Sequence, residues 1–315
     1  MPVELNGNNN TSTLGSTPEA APVKAIPTPI SQTMPANDIH TNGNIQGLSA
    51  LEMSDPNSIS VTISDPDAPL IVLFGPPACG KTMTLIRLTR YLQKEGYTIA
   101  PIRTFRPASD KNYADICDNF DIMINNDNAA SSNDRISFML VKVLKNGRTL
   151  CQILEAPGEF YFNPADPTAS YPNYVNEIIS RDNRKIWTIM VEPDWLNQTD
   201  RKNYVSKITL LKKKMRPKDR VVFVFNKIDK TSFVRHVGSI NIPEAIKEIQ
   251  NMYPNIFIPF LNQNPITKLW KKFNCNFVPF QTGSYTKAIN GITYQEGPQE
   301  YCVSLWNTLM KKIYG

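Results

Sequence analysis

The octapeptide GPPACGKT, residues 75–82, constrains the fold of this chain more than any other stretch. It fits the pattern G-x-x-x-x-G-K-[ST] and follows the apolar run LIVLF, which predicts a buried strand. The next stretch, TMTLIRLTRYLQKEG, has leucines at helical spacing and a glycine at its end, which predicts a helix. A strand, a glycine-containing loop and a helix in this order direct several backbone N–H groups at one small volume. The octapeptide therefore predicts a phosphate-binding loop.

The side chains of this loop have separate predicted roles. Lys81 is placed to reach the β- and γ-phosphates and to stabilise charge on the transferring phosphoryl group, and the Thr82 hydroxyl is placed to bind Mg²⁺. We interpret Cys79 as a small loop residue rather than a redox sensor. The predicted nucleotide contacts of this segment are Gly75, Pro76, Pro77, Ala78, Cys79, Gly80, Lys81, Thr82 and Met83.

Charge, cysteine content and apolar runs restrict the class of protein. The net charge of the 315-residue chain is +6, which favours no particular partner. The five cysteines form no C-x-x-C pair, as is usual in a reducing compartment. No apolar run reaches membrane-spanning length, and the N-terminus lacks the charged and apolar layout of a signal peptide. We therefore expect a cytoplasmic protein without a transmembrane segment.

The first 57 residues differ in composition from the remainder. They are rich in Asn, Ser, Thr, Pro and Gly and poor in aromatic residues, so they bury too little apolar area to offset the entropy of ordering. We expect a disordered arm over residues 1–57 and one domain over residues 58–315. The alternating stretch SISVTI, residues 58–63, predicts a short strand at the edge of that domain.

Apolar runs and helical patterns alternate after the first helix. Two alternating runs, residues 136–144 and 149–154, flank Asn146-Gly147, which is a strong hairpin signal. The runs KIWTIMV, RVVFVF and FNCNFVPF are separated by helical patterns, which predicts parallel strands that are buried on both faces. The expected fold class is α/β, a mostly parallel sheet with helices on both faces and some insertions. A ligand of such a sheet binds at the carboxyl ends of the strands.

Two polar segments follow predicted strands at that edge. The first, EAPG, begins with Glu155, whose carboxylate is placed to accept hydrogen bonds from Mg²⁺-bound water. The second, NKID, follows RVVFVF directly. Guanine presents N1–H and N2–H side by side, and Asp229 can accept both, whereas adenine has no such pair of donors. Asn226 is predicted to join this loop to the phosphate loop, and the stem of Lys227 is predicted to lie on the plane of the base.

A third segment, QTGS, follows the next strand, and the backbone at Thr282 and Gly283 is placed to meet the guanine O6. In order and context, GPPACGKT, EAPG, NKID and TGS resemble the motifs of a Ras-like P-loop GTPase of the translation-factor-related class, over about residues 70–315. The resemblance implies GTP or GDP as the ligand and Mg²⁺ as the cofactor, with Thr82 and Glu155 at the metal. It also implies a nucleotide contact at Gly158 and a protein effector or activator as partner.

Three features depart from that family. Glu155 stands where the family has an aspartate, and Glu159 stands where Ras-like proteins have a glutamine that orients the attacking water. A switch threonine cannot be assigned, because only Ser131 and Ser132 lie near the expected position and Thr104 lies far upstream. The sequence therefore supports nucleotide binding more strongly than fast hydrolysis.

We expect a GTP-binding switch that hydrolyses GTP slowly, with Lys81 and Glu159 as its catalytic residues. One alternative is a nucleotide-bound scaffold that has lost hydrolysis, which the two glutamates would explain. A second alternative is a P-loop kinase of a small metabolite. That enzyme would need an arginine-rich lid, which the sequence does not show, and it would leave NKID unexplained.

Two further features have two interpretations each. The aromatic segment FYFNPADPTASYPNYVNEI, residues 160–178, either packs on the core or forms a partner surface, and we favour core packing. The basic clusters LKKKMRPKDR and WKKF fit either a solvated helix face or a contact with nucleic acid or an anionic membrane. We favour the solvated face and do not expect nucleic acid as a partner.

Overall fold

The computed structural model describes residues 48–125, 138–193, 197–231, 234–236, 239–269, 271–288 and 291–315. Ser131 and Ser132, and the arm before residue 48, lie outside the described residues. The strands are β1 (Leu70–Phe74), β2 (Thr98–Pro101), β3 (Met139–Lys145), β4 (Arg148–Glu155), β5 (Lys185–Val191), β6 (Arg220–Phe225), β7 (Val234–His236), β8 (Ser239–Ile240), β9 (Asn276–Pro279), β10 (Gly283–Ala288) and β11 (Gly291–Glu296). The helices are α1 (Ala50–Ser54), α2 (Lys81–Lys94), α3 (Lys111–Asp118), α4 (Phe120–Asn125), α5 (Gly158–Tyr161), α6 (Asn173–Ser180), α7 (Gln198–Lys214), α8 (Ile242–Met252) and α9 (Gln299–Tyr314).

Seven strands form one sheet in the order β2-β3-β4-β1-β5-β6-β9. The neighbours β4, β1, β5, β6 and β9 pair in parallel, and β3 is antiparallel to both β2 and β4. The carboxyl ends of β4, β1, β5, β6 and β9 therefore meet at one edge of the sheet. The two small antiparallel pairs, β7–β8 and β10–β11, lie outside this sheet.

The central strand β1 is buried on both faces. Its five residues are at most 2% exposed, and successive side chains of a strand point to opposite faces of the sheet. Helices α2 and α9 pack against each other and against strands of the sheet, and the Tyr204 ring of α7 stacks on Phe74 at 6.2 Å between centroids. The predicted fold class, a mostly parallel α/β sheet covered by helices on both faces, is confirmed.

The hairpin of β3 and β4 turns where the sequence predicts. Asn146 and Gly147 have φ angles of 51° and 75°, the left-handed backbone that a two-residue turn of this type requires. The register pairs Met139 with Glu155, so the end of β4 lies beside the start of β3. The hairpin thereby delivers Glu155 to the same edge as the end of β1.

The segment before β1 differs from its prediction. Residues 48–57 belong to the predicted arm, yet they include α1 and a 3-10 turn over Pro56–Ser58. The predicted strand over residues 58–63 is wrong, because that stretch joins no ladder. Beyond the local bonds of the 3-10 turn, its backbone donates from Thr62 N to Phe105 O at 2.8 Å. Alternate side chains of the stretch are nevertheless buried, namely Ile59, Val61 and Ile63. The alternation thus reports burial along an extended segment rather than strand pairing.

Candidate functional site

The predicted phosphate loop connects β1 to α2. Ala78 and Gly80 have φ angles of 58° and 92°, which turn the chain sharply before the helix begins at Lys81. A Cβ atom on Gly75 would come within 2.6 Å of the Cys79 Sγ. The loop is therefore tightly wound, and its glycines are required by close approach and by backbone conformation.

Lys81 and Thr82 are held by protein partners at the start of α2. The Lys81 ammonium donates to Pro76 O at 2.8 Å, across the loop, and the residue is 5% exposed. The Thr82 hydroxyl donates to Glu155 Oε1 at 3.0 Å. The structure thus brings together the two residues that the sequence assigns to Mg²⁺, and a hydroxyl beside a carboxylate is an oxygen donor set that suits this ion.

Glu155 is a buried carboxyl group at the end of β4. Its Oε2 accepts a hydrogen bond from Phe138 N at 2.9 Å. Burial raises the pKa of this carboxyl group, while the nearby Lys81 charge and the hydrogen bond from Phe138 N oppose that rise. Phe138 itself has a φ of 62°, a strained conformation for an aromatic residue. The carboxylate is therefore fixed on one side by the phosphate-loop helix and on the other by the first described residue before β3.

Gly158 packs directly on the phosphate loop. A Cβ atom at this position would lie 2.2 Å from both Pro76 C and Pro77 N, which are backbone atoms. The next residue, Glu159, is exposed in the first turn of α5. The EAPG segment thus lies against the loop with the Glu159 side chain open to solvent.

The base loop is joined to the phosphate loop through Asn226. Its amide Nδ2 donates to Cys79 O at 2.8 Å in a buried hydrogen bond, as the sequence predicts. The contact is close, since a Cβ on Gly80 would lie 2.2 Å from the same nitrogen. The Asn226 Oδ1 is buried and has no hydrogen-bond partner among the described residues.

Lys227 and Asp229 occupy the turn that follows. Lys227 has a φ of 53° and precedes a 3-10 turn over Ile228–Lys230, in which Asp229 is exposed. The turn is anchored by Ile228, which is fully buried and whose N–H donates to Phe280 O at 3.3 Å. The buried isoleucine therefore holds the loop while the Asp229 carboxylate faces solvent at the sheet edge.

The third predicted contact segment, at Thr282 and Gly283, accepts a hydrogen bond from Arg87 of α2. The Arg87 guanidinium donates to Thr282 O at 3.0 Å and to Pro298 O at 2.8 Å, and the Tyr294 hydroxyl donates to Thr282 O at 2.6 Å. Gly283 follows with a φ of 148° at the start of β10. Sequence analysis missed Arg87 and Tyr294. The signal that could have found Arg87 is an arginine between the apolar residues Ile86 and Leu88 of the helix.

Sequence analysis also missed an acidic residue, Glu192. It follows β5 directly, is 1% exposed, and its Oε2 lies 2.5 Å from the Lys227 Nζ. A charged residue immediately after a buried strand, at the edge where the ligand is expected, is the signal that was available. The thiol of Cys79 lies in this environment, and burial raises its pKa to about 11, with Glu192 adding to that rise. Cys79 is therefore an inert buried thiol, as the sequence interpretation holds.

The aromatic segment after EAPG packs on the core. Tyr161, Phe162, Tyr171 and Tyr174 are at most 3% exposed, which confirms the interpretation as core packing. The Tyr161 ring lies 4.9 Å from Phe74 between centroids. The rings of Tyr161 and Tyr171 pack against Phe74 at the end of β1. Burial raises the pKa of the Tyr161 and Tyr174 hydroxyls, so both stay protonated.

The arginines of the switch region that the structure describes are engaged elsewhere. Arg106 is 4% exposed and pairs with Glu52 and with Asp110 at 2.5 and 2.9 Å. Arg103 pairs with Asp118 at the surface. Arg135 lies outside the described residues. Within the described part of this region, both arginines are thus paired with acids, and neither supplies a positive charge to the phosphate loop.

The basic cluster at the end of α7 lies on the surface. Lys212, Lys213 and Lys214 are exposed in the last turn of that helix, where positive charges also complement the helix dipole. This placement supports the interpretation as a solvated helix face. Among the described residues, no helix is both long enough and apolar enough to cross a membrane.

No protein-family model matches the sequence, and no curated protein matches it. Among solved structures, it is similar to the Roco2 RocCORdC of Methanosarcina barkeri bound to GDP, with 10% identity over 81% of this chain and 52% of that chain and a TM-score of 0.32. The chain thus spans about half the length of that structure. It is also similar to a Plasmodium falciparum protein named nucleolar GTP-binding protein 1, with 16% identity over 81% of this chain and 94% of that chain and a TM-score of 0.34.

With TM-scores below 0.5, these likenesses add nothing to what the geometry of the site itself shows. The resemblance of the sequence to P-loop GTPases is confirmed at the level of the fold, in which the phosphate loop follows the central strand of a mostly parallel sheet. The contacts of the predicted residues with a nucleotide stay predictions.

Proposed function

We propose that this protein binds guanine nucleotide and hydrolyses GTP slowly, as a nucleotide-dependent switch. The observation that carries the proposal is the buried hydrogen bond from Asn226 Nδ2 to Cys79 O at 2.8 Å. It fixes the loop with the base-selective carboxylate against the loop with the phosphate-binding amides. One nucleotide can then engage both loops at once.

Base selection rests on Asp229. Its carboxylate is exposed on the turn after β6, and the Thr282–Gly283 backbone segment follows the neighbouring strand β9. A carboxylate can accept the two adjacent donors of guanine but can only face an acceptor on adenine. Since Lys227 lies immediately before this turn, its aliphatic stem is available for contact with the base. These features favour GTP and GDP over adenine nucleotides.

Phosphate binding rests on Lys81, Thr82 and the loop amides. Lys81 is placed to exchange its hydrogen bond with Pro76 O for one with a phosphate oxygen. Thr82 and Glu155 would hold Mg²⁺, which neutralises charge on the β- and γ-phosphates when it is bound. Gly158 places the EAPG backbone against the loop, where its N–H groups can reach the γ-phosphate.

Slow turnover follows from what surrounds the γ-phosphate position. Transition-state charge on the transferring phosphoryl group needs a preorganised positive partner and a positioned water. Lys81 supplies the first, and the exposed Glu159 is placed to orient a water. Arg103 and Arg106 are paired with acids elsewhere, so neither supplies positive charge at the γ-phosphate position. We expect the isolated protein to gain rate from an activating protein partner. We place the protein in the cytoplasm.

One observation favours a second function, a nucleotide-bound scaffold without hydrolysis. Glu155 already accepts hydrogen bonds from Thr82 and from Phe138 N, and burial raises its pKa. A carboxyl group that is this well satisfied is less available to the metal. In that case the nucleotide would be a structural ligand.

The two functions are separated by identifying the nucleotide that the purified protein retains and by measuring phosphate release. We expect guanine nucleotide to be recovered after denaturation, and we expect GTP to be hydrolysed well below one turnover per second, compared with a typical enzyme median of about ten. Guanine nucleotide without any release of phosphate, even with cell extract added, would favour the scaffold. Formation of nucleoside diphosphate that depends on an added small acceptor, without release of phosphate, would indicate a kinase. Recovery of adenine nucleotide alone would contradict the proposal.

A further inference from the structure

A buried acid faces the base loop from the neighbouring strand. The last residues of β5 and β6, Val191 and Phe225, are paired in the parallel ladder, so Glu192 and Asn226 leave the sheet side by side. Asn226 N donates to Val191 O at 2.9 Å, which continues the pairing by one step. The register therefore delivers the Glu192 carboxylate to the base loop.

The charge of Glu192 is compensated by Lys227. The two side chains form an ion pair at 2.5 Å, in which the glutamate is 1% exposed and the lysine is 32% exposed. The glutamate is held in place by its backbone as well, because its carbonyl oxygen accepts from the Tyr253 hydroxyl at 2.9 Å. A buried carboxylate without a partner is strongly unfavourable. The Lys227 ammonium therefore compensates charge on the buried Glu192 carboxylate.

The ion pair also fixes the direction of the Lys227 side chain. The backbone of Lys227 is left-handed, with a φ of 53°, an uncommon conformation for a lysine. With its ammonium held at Glu192 and its side chain 32% exposed, the lysine keeps part of its surface open to a ligand. An apolar stem fixed in this way forms a flat contact for a purine ring.

We infer that Glu192 is a positioning residue for the nucleotide: its ion pair with Lys227 holds the lysine stem under the base and removes an uncompensated negative charge from beside the phosphate loop. This role rests on the proposed function. It predicts an asymmetry between the two partners. A neutral residue at position 192 leaves a lysine that water can solvate, whereas a neutral residue at position 227 removes the ammonium that lies 2.5 Å from a buried carboxylate.

The experiment is a double-mutant cycle in which the affinity for a fluorescent GDP analogue is measured. We expect Glu192→Gln to weaken binding about 5-fold and Lys227→Met to weaken it about 50-fold. We expect the double variant to bind within about 10-fold of wild type, so that removing the acid rescues the lysine variant. Glu177→Gln, which removes the acid of an exposed ion pair with Arg181, is the matched control and should leave affinity unchanged.

Thermal unfolding of the nucleotide-free variants shows whether the pair matters only for folding. A double variant that binds no better than Lys227→Met would overturn the role of Glu192. A double variant that recovers thermal stability but not nucleotide affinity would overturn the role of Glu192 as well. If Lys227→Met does not fold, Glu192→Gln alone decides, and an affinity within about 2-fold of wild type contradicts the role. A wild-type protein that binds no guanine nucleotide defeats the proposed function itself, which is a distinguishable result.

Discussion

The phosphate end and the base end of the site are held in different ways. At the phosphate end, Lys81 and Glu155 are buried, and with Thr82 they are hydrogen-bonded to other protein groups. At the base end, the selective group, Asp229, is exposed on a turn that buried Ile228 anchors. The polar groups of the phosphate end thus already have hydrogen-bond partners within the protein, while the base end presents the Asp229 carboxylate to solvent.

This difference predicts that the phosphate end contributes mainly affinity and that the base end contributes selectivity among bases. A ligand at the phosphate end replaces hydrogen bonds that already exist, so binding there depends on groups that are fixed beforehand. In the proposed site those groups contact only phosphate, so they would act on every nucleotide alike. A ligand at the base end meets a free acceptor, and only a base with matching donors gains from it. Substitutions at the two ends should therefore produce different patterns of binding.

The largest effect is expected at the phosphate end, from Lys81→Ala. Because we propose Lys81 as the fixed cation for the β- and γ-phosphates, its loss should weaken binding of guanine nucleotide by more than about 100-fold, or ~3 kcal/mol. Titration with a fluorescent guanine nucleotide measures this, and circular dichroism checks the fold. The exposed Lys111 provides the control, Lys111→Ala. Unchanged affinity in Lys81→Ala would remove the phosphate-loop assignment.

The connection between the two ends is tested by Gly80→Ala. The added Cβ would lie 2.2 Å from Asn226 Nδ2, at a φ of 92°. We expect a loss of ~2 kcal/mol in the free energy of unfolding, together with weaker binding of every nucleotide, since the loops are forced apart. Gly147→Ala is the control, because Gly147 has a similar φ of 75° and nothing lies within 4 Å of an added Cβ. Its loss of stability measures the cost of the backbone conformation alone. Equal losses in both variants would show that the contact with Asn226 is unimportant.

The base end is tested by Asp229→Asn. Xanthine carries an oxygen where guanine has its amino group, and an asparagine amide can donate to that oxygen. We expect weaker binding of GTP by about 10-fold or more and tighter binding of xanthosine triphosphate. Competition titrations with the two nucleotides measure the change, and Asp67→Asn at an exposed loop position is the control. Equal weakening of both nucleotides would show that Asp229 does not read the base.

The smallest effect on affinity is expected from Glu159→Ala. Its side chain is exposed beside the loop, so we expect GTP affinity to stay within about 3-fold of wild type while the rate of hydrolysis changes by more than that. The direction of the rate change is open, because the carboxylate can orient a water but also repels the γ-phosphate. Single-turnover hydrolysis beside equilibrium binding provides both numbers. Equal rates in the two proteins would exclude Glu159 from the mechanism.

Most of the fold and the local motifs could be predicted from the sequence. Apolar runs such as RVVFVF, and the Asn146-Gly147 turn, encode structure within a few residues, and the structure has β6 and the hairpin in those places. The joining of the loops through Asn226 was also predictable, because both motifs follow parallel strands that end at the same edge of the sheet. The failed strand at residues 58–63 shows the limit, since alternation reports burial and not the presence of a pairing partner.

The supporting contacts of the site could not be predicted, because they join residues that are far apart in the chain. Arg87 reaches Thr282 across 195 positions. Glu192 meets Lys227 only because two strands end in register. Such pairs depend on the register of the sheet and on the path of helices, which local patterns do not encode.

The central claim is that one site reads both phosphate and guanine, and a competition titration of the wild-type protein tests it most directly. A fluorescent GDP analogue is displaced in parallel by unlabelled GTP and ATP in the presence of Mg²⁺. We predict that GTP displaces it at a concentration at least about 100-fold below that of ATP, since a site that is built for paired donors rejects a base without them. Displacement by ATP at an equal or lower concentration would contradict the claim.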